Sequence, residues 1–578
     1  MANLSGLPAS PAPAKETKAQ KAERLKAAKN PWDAWDEVLA FARAGHSSIV
    51  PEWANTYFRW WGLYPQGDGA GVTGGTGGEG KSTEYFMLRI ALPNGIANSH
   101  QLRTIAAIAK KYARNLVDVT TRQNIQLHWV TIEDIPEIVQ ALAEIGLSPK
   151  GACGDVIRNV TGCPLAGLDA SEISDASPLA LEIAACLRGN SDFYNLPRKF
   201  KISVTGCSHW CSYPEINDIG LTAVRRKGHG QENLGYSVRV GGGLSTEPHL
   251  AVRLPVFIRE DQAYSVTKAI VELFHEQQDL RENRTRARMK YLFLRHGWTA
   301  DSFLGAIEHK LGHRLEPFPL EEDRVPDDIY RDHVGITPQK QAGLSAVGAS
   351  VLRGRLSGDQ LQSLAELADR YGNGELRCTI TQNVIIVNVP NRHVSELVNA
   401  LSDIDVTVES SPFWRGAIAC TGTEFCKLAI AETKAFSKWL VAEMEERLPA
   451  FDQHIKLHVT GCTNSCGQHW IADVGLEGKK IRQNGKMVDA FYFCVGGSVG
   501  KYARIARQVG YRASADEVPD ALERMLRGYL ASRQQGEDLR AYFSRVDDEG
   551  LRAQLAGNRI PPVERDVPPA NGRSGADV

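Results

Sequence analysis

The chain has 578 residues, enough for roughly three to four domains. Its 43% hydrophobic and 23% charged residues are ordinary globular composition, which excludes a fibrous or wholly disordered chain. Lys plus Arg is 67 against 68 Asp plus Glu, a net charge of −1 that gives no global case for a nucleic-acid or membrane-surface protein, and no apolar run is long enough to span a bilayer.

In chain order, residues 1–30 read as a flexible Ala/Pro/Lys lead-in followed by a charged helix. They lack the apolar core of a secretory signal, so the chain reads as cytoplasmic. Residues 31–83 form an N-terminal arm. Within it, Gly75-x4-Gly80-Lys81-Ser82 matches the phosphate-loop expression literally, but a Gly tract precedes it and the strand YFMLRIAL follows where a helix is required. It reads as a mobile loop. Residues 84–150 alternate as strand, Gly turn, helix around Gln101–Tyr112, strand, and a helix after Ile135-Pro136, the content of a small α+β half-domain.

Residues 151–335 are a larger α+β unit. Asn195–Lys201 places three cations within four residues ahead of a strand, and alternation sends Lys199 and Lys201 to one face, where they want solvent or an anion. A Gly206-Cys207-x3-Cys211 turn follows that strand. The run Arg284, Arg286, Arg288 and Lys290 reads either as an exposed helix face or as further anion contacts. The Pro-rich, charged stretch 315–339 is the boundary. Residues 340–408 repeat the half-domain, with a helix around Gln360–Tyr371. Residues 409–578 carry Cys420-x5-Cys426, which opens what reads as a helix, and Cys462-x3-Cys466 in a Gly-rich turn.

The chain is a duplication. KISVTGCSHWCSYPEINDIG at Lys201 and KLHVTGCTNSCGQHWIADVG at Lys456 share nine of twenty positions, 255 residues apart, and residues 84–124 align without a gap on 343–383. The copies differ at charged positions: Arg89 faces Gly348, Arg122 faces Thr381, and the second copy alone owns Cys420-x5-Cys426. One half supplies cations and the other thiolates, as two degenerate copies facing one site would.

Eleven cysteines are too sparse for a disulfide scaffold, and six of them are clustered. Cys420, Cys426, Cys462 and Cys466 suit either tetrahedral zinc or an iron–sulfur cluster, and their wide spacing accommodates the bulkier group. Cys207 and Cys211, with only Cys163 in the corresponding upstream stretch, read as a relic of the duplication that holds no metal.

At these residues the sequence resembles the siroheme/[4Fe–4S] ferredoxin-type nitrite and sulfite reductase family, from Phe58 to about Gly500. The carriers are Ala-Cys420-Thr-Gly-x-x-Phe-Cys426 and Thr-Gly-Cys462-x-Asn-Ser-Cys466. The resemblance implies a pseudo-twofold α+β fold with two ferredoxin-like half-domains. It implies that the four cysteines hold a [4Fe–4S] cluster and that Cys466 also bridges to siroheme iron. Arg89, Arg158, Lys199 and Lys201 match the family's distal-pocket cations. Arg122, Gln126 and His128, in TTRQNIQLH, are candidate siroheme contacts, with Arg288 beside them. No flavin or nicotinamide module is evident, so a small external carrier such as ferredoxin is implied, together with a small oxyanion substrate and a monomeric enzyme.

The implied reaction is assimilatory six-electron reduction of nitrite to ammonia, with sulfite reduction to sulfide as the alternative. Ser465-Cys466-Gly467-Gln468 and Pro338–Gln341 resemble the nitrite branch, whereas Lys201 matches the sulfite branch. A non-catalytic iron–sulfur electron-transfer protein would need the cysteines but not the four cations. Trp60–Tyr64 with Ala152–Asp155 matches the signature of sulfite-reducing family members that join a Tyr to a Cys and so also counts towards sulfite; the pair reads either as a Tyr64–Cys153 thioether or as a pocket-wall aromatic beside a small buried cysteine.

Overall fold

The structure is a computed structural model that describes residues 16–50, 53, 56–67, 84–228, 231–327 and 330–557. The Gly75–Ser82 loop and the lead-in before residue 16 lie outside the described residues. No helix among them is long and apolar enough to cross a membrane.

The two half-domains superimpose in sequence register. Helix Ser99–Tyr112 opens on a capping box in which Asn98 and Gln101 exchange side-chain-to-backbone hydrogen bonds. Ser357 and Gln360 do the same for helix Gly358–Tyr371. Leu102, Ile105, Ala106 and Ala109 on the first helix and Leu361, Leu364, Ala365 and Ala368 on the second are buried in a single shared core. Each helix follows a three-residue strand that does not join its own sheet. Ile96–Asn98 pairs with Glu375–Cys378 of the second half, and Arg355–Ser357 pairs with Leu116–Val119 of the first. Each five-stranded antiparallel sheet is therefore completed by the other half.

The turns TTRQN and TITQN lock this exchange. Gln123 and Gln382 both have positive φ, 56° and 65°, which turns the chain sharply at each strand end. Gln123 Nε2 donates to the Cys378 carbonyl across the pseudo-twofold (3.0 Å) and its Oε1 accepts from Gly162 N (3.0 Å). Gln382 Nε2 donates to Val119 (3.0 Å) and its Oε1 accepts from Ala419 N (3.1 Å).

The larger units are also copies. In the first, Ile202–Thr205 runs parallel to both Thr161–Gly162 and Ile219–Gly228, and an antiparallel hairpin partner, Gln231–Val240, follows. In the second, Leu457–Thr460 lies between Ala417–Ala419 and Val474–Gln483, with Lys486–Val495 as the hairpin partner. Each sheet packs its helices over its own apolar core. Because three neighbouring strands are parallel, their ends gather on one side, and the cysteine turns leave from there.

Several expectations need correction. Cys420 and Cys426 do not open a helix. They sit on a loop with one 3-10 turn, Gly422–Glu424, and the helix begins at Lys434. The Thr433 hydroxyl donates to the Cys420 carbonyl (2.6 Å), and the folded-back loop needs Gly422 at φ +67°. The basic run 284–290 is not an exposed helix face. Arg284–Arg286 is a 3-10 turn, Arg284 pairs with Asp155 (2.7 Å), and Arg288 and Lys290 are buried. Residues 1–30 are not flexible throughout, since helix Lys18–Ala28 docks its buried Lys26 on the Leu196 carbonyl (3.1 Å). Strand Gly335–Pro338 already pairs with Leu344–Ala349, so the second half-domain begins ahead of residue 340.

Candidate active site

Cys462 follows the end of Leu457–Thr460, and Cys420 follows the end of the neighbouring Ala417–Ala419, so parallel pairing brings the two cysteine groups together. Ser465, with φ 56°, turns the chain so that Cys466 comes to the surface of the unit. Gly461 N donates to Cys420 Sγ (3.2 Å), and Asn464 Nδ2 approaches Cys462 Sγ at 3.5 Å. Burial, reinforced by the nearby Cys466, pushes the Cys426 thiol up to about 12 and raises Cys420 and Cys462 in the same direction. Without a cation these thiols would stay protonated.

The four residues fit a cluster better than a single ion. Among the described residues, no three of these sulfurs lie within 4.8 Å of one another, whereas a tetrahedral zinc at about 2.3 Å would draw its sulfurs to about 3.8 Å. The first half closes over this loop. Phe425 stacks on His128 at 4.1 Å and meets Trp129 edge-on at 4.6 Å, and the Thr121 hydroxyl donates to the Cys466 carbonyl (3.3 Å).

The expected cations lie among one another, and Lys199 is the one near Cys466. Lys199 follows the turn that ends at Arg198, and Phe200 bridges to Ile157, which fixes the approach of the segment to the sheet. Burial drives the Lys199 ammonium down to about 7, against the pull of Cys466, with Arg198, Arg288 and Arg158 adding to the drop. Lys201 is depressed further by burial and by Arg122, Arg288 and Lys199. Neither ammonium has a hydrogen-bond or ion-pair partner among the described residues. Arg158 donates to the carbonyls of Gly154 (3.0 and 3.1 Å) and Ala152 (3.2 Å). Arg89 points Nη1 at the Cys153 sulfur (2.9 Å), and the Gln126 amide oxygen accepts from its Nε (3.0 Å).

Arg122 is half-buried. It donates to Asn217 Oδ1 (2.8 Å) and the Asn159 carbonyl (2.5 Å), and burial lowers it to about 9, with Arg158, Arg288 and Arg89 as like-charged neighbours. Its Nε is buried and unbonded. Cations crowded at this density, with a spare Arg122 Nε, suit a polyanion such as siroheme, whose carboxylates would take charge-assisted hydrogen bonds.

His128 behaves differently from the expected cofactor contact. Its ring is fully buried, Nδ1 meets Gln66 Oε1 (2.7 Å), and Nε2 meets Asp118 Oδ2 (3.1 Å). Asp118 is gripped in turn by Arg355 (2.8 and 3.1 Å) and lies 3.4 Å from Lys434. His128 therefore acts on the site through Phe425 and this network, not as a free donor. Gln66, Asp118 and Arg355, which span both halves, are site residues that sequence reasoning missed. Strand alternation sets Asp118 on the face opposite Val117 and Val119, so nothing local signals its burial or its partner in the other half.

The two segments of the thioether signature pack together. Gly151 N donates to the Trp60 carbonyl (2.8 Å), and Gly154, at φ +91°, would place a Cβ 2.9 Å from the Trp60 indole. Cys153 is fully buried, while the Tyr64 ring lies under the Arg59 guanidinium at 5.0 Å. In the first copy, Cys207 and Cys211 are not a bare pair. Cys163 joins them, and all three sulfurs lie within 4.8 Å of one another.

This duplicated α+β scaffold, with a thiol set on one half and a cation pocket on the other, is that of a metal-dependent oxyanion reductase. The nitrite and sulphite reductase 4Fe-4S domain matches residues 153–315 and 410–561, and the nitrite/sulfite reductase ferredoxin-like half domain matches 79–145 and 337–404. The chain belongs to the siroheme/[4Fe–4S] nitrite and sulfite reductase family, an oxidoreductase family that uses both cofactors. It is 38% identical to the assimilatory ferredoxin-dependent nitrite reductase of Haloferax mediterranei, with 92% of each chain covered. It is 35% identical to sulfite reductase [ferredoxin] 1 of Mycolicibacterium paratuberculosis, over 89% of this chain and 92% of that one. The structure of the Mycobacterium tuberculosis NirA protein is similar at a TM-score of 0.86 and 34% identity, covering 92% of this chain and 97% of that one.

Proposed function

We propose that the protein is a ferredoxin-dependent nitrite reductase that carries nitrite to ammonium by six electrons. The observation that carries this reading is the pair of half-buried, unpartnered ammonium groups, Lys199 and Lys201, set among arginines, with Lys199 near Cys466. A non-catalytic electron carrier would bear the cost of burying those charges with nothing to receive from them.

In this reading Cys420, Cys426, Cys462 and Cys466 would hold the cluster, Cys466 would also serve siroheme, and Arg122 and Arg288 would balance siroheme carboxylates. When bound, the coupled cofactors supply single electrons and an iron open to a small oxyanion. The protein does the rest. Arg89 and Arg158, aimed by the Gly154 and Ala152 carbonyls and by Gln126, hold the anion without giving up protons. Lys199 Nζ, lowered to about 7, can deliver a proton to a departing oxygen and regain it near neutral pH. Lys201 Nζ adds the second close charge. The reading takes the enzyme as a cytoplasmic monomer served by ferredoxin.

Nitrite is favoured over sulfite by the turn after Cys466. The sulfite pattern has Ala-Arg where Gly467-Gln468 stand, and a Cβ at Gly467 would come 2.4 Å from the Val459 carbonyl oxygen. The Pro338–Gln341 resemblance carries less weight. Gln339 donates to Asn388 Oδ1 (2.9 Å), and Lys340 pairs with Glu172 (2.6 Å), which is packing between units. Lys201 supports the second reading, sulfite reduction, since sulfite brings more negative charge to the pocket. Steady-state kinetics with reduced ferredoxin test the choice. The expected kcat/KM is at least about tenfold larger for nitrite, a difference of about 1.4 kcal/mol, and a ratio favouring sulfite moves the enzyme to the second reading.

A further inference from the structure

The strand register equates three of the four cluster cysteines with residues of the first copy. Gly162 is opposite Val204 as Ala419 is opposite Val459, which places Cys163 where Cys420 stands, and the repeated turn places Cys207 and Cys211 where Cys462 and Cys466 stand. The geometry is not the same. In the second copy no three sulfurs lie within 4.8 Å; in the first all three do, with Cys207 Sγ and Cys211 Sγ 3.4 Å apart. A cubane several ångströms across does not fit between sulfurs so close. A single tetrahedral ion does, because metal–sulfur bonds of about 2.3 Å set sulfurs about 3.8 Å apart.

The surroundings supply a balancing charge. Three thiolates around a dication leave one negative charge. Arg331, two residues before His333, faces Cys211 and Cys163 while its Nη1 is 2.5 Å from Asp169 Oδ2. Asp169 lies in the stretch that corresponds to the Cys426 loop. The remaining wall is apolar: Leu165, Leu168, Ile385 and Val387.

We propose that the first copy holds a structural zinc ion, with Cys163, Cys207 and Cys211 as its thiolate ligands. Binding displaces the thiol protons to solvent and transfers no electrons, so the site needs no oxidant or reductant. The ion would tie the Cys207 turn to the Cys163 segment that follows the neighbouring strand Thr161–Gly162. The proposal replaces the expectation that Cys207 and Cys211 are metal-free, and it stands apart from the substrate reading.

The test uses the full-length holoenzyme from medium containing zinc, never exposed to chelator. Elemental analysis is expected to give one zinc per chain beside the cluster and siroheme iron. Absorption at the zinc edge, to which iron does not contribute, is expected to show three sulfurs at about 2.3 Å. C207S with C211S is expected to remove the zinc while iron per chain stays unchanged. Zinc below about a tenth per chain in the wild-type enzyme, or a zinc shell with fewer than three sulfurs, overturns the proposal, and needs no variant to fold. Iron and siroheme content in the same sample report separately on the reductase assignment.

Discussion

Arg288 and Asp218 meet through two hydrogen bonds, Nε to Oδ1 at 3.2 Å and Nη2 to Oδ2 at 2.8 Å, with both side chains buried. The same Oδ2 accepts from Lys201 N at 2.8 Å, and the second copy repeats the contact, Asp473 Oδ2 accepting from Lys456 N at 2.7 Å. Asp218 thus anchors the backbone of one pocket cation and the side chain of another. Asp218→Asn keeps the shape and removes the charge. Uncompensating a buried pair costs about 3–5 kcal/mol, so a marked fall in the apoprotein melting temperature is expected in a thermal scan, and an unchanged midpoint would contradict the role.

Replacing Cys466 with Ser is expected to abolish activity and to remove siroheme and cluster signals together, because in the proposed arrangement one sulfur serves both. Visible absorption and iron analysis check this. A variant that keeps both chromophores and turnover removes Cys466 from the ligand set.

Desolvation, helped by Arg198, Arg288 and Arg158 and opposed by Cys466, lowers the Lys199 ammonium to about 7. It is charged below that pH and neutral above it, so anion affinity falls as pH rises. The KM for nitrite is expected to climb between about pH 6 and pH 8.5, and in Lys199→Met to start high and stay flat. Matching pH profiles in the two enzymes would exclude Lys199 as the titrating group.

Lys201→Asn removes one close charge. A charged contact is worth about 1.5–3 kcal/mol, so sulfite turnover is expected to drop roughly ten- to a hundredfold, with a smaller loss for nitrite. Equal losses on both substrates would assign Lys201 to structure or proton supply.

Tyr64 and Cys153 test the remaining part of the family pattern. If the thioether forms, a ring C–H and an S–H are lost, two electrons and two protons pass to dioxygen, and proteolysis yields one joined peptide lighter by two hydrogens. It resists thiol reductants. Recovery of an alkylated Cys153 peptide from unfolded protein would rule the bond out.

Much of this was written in local sequence. The capping boxes at Asn98 and Ser357, the paired Gly-Cys turns and the fixed spacing between copies are short-range signals, and they place the strands and helices correctly. The exchanged strands were not legible, because Ile96–Asn98 and Arg355–Ser357 are three residues long and their partners are remote. The same holds for the buried state of Arg288, whose partner Asp218 lies 70 residues away, and for His128, whose place is decided by Phe425 from the other half. The helix start misread at Cys420 has a chemical cause. Gly422, by its positive φ, and Thr433, by its hydroxyl, hold the thiol loop, and helical periodicity in the sequence carries no trace of that.

The exchanged strands also bear on how the chain reaches this structure. Neither half-domain sheet can close until residues roughly 240 to 280 positions apart have met, which gives the molecule a high contact order and a slow, late-committing assembly. During synthesis the first half leaves the ribosome with a sheet edge at Leu116–Val119 open and waits for Arg355–Ser357 to be made. Exposed edges of that kind invite pairing with another chain. Expression of the first half alone should therefore give aggregate rather than a domain, and co-expression of the two halves as separate polypeptides should recover soluble protein only when both are present.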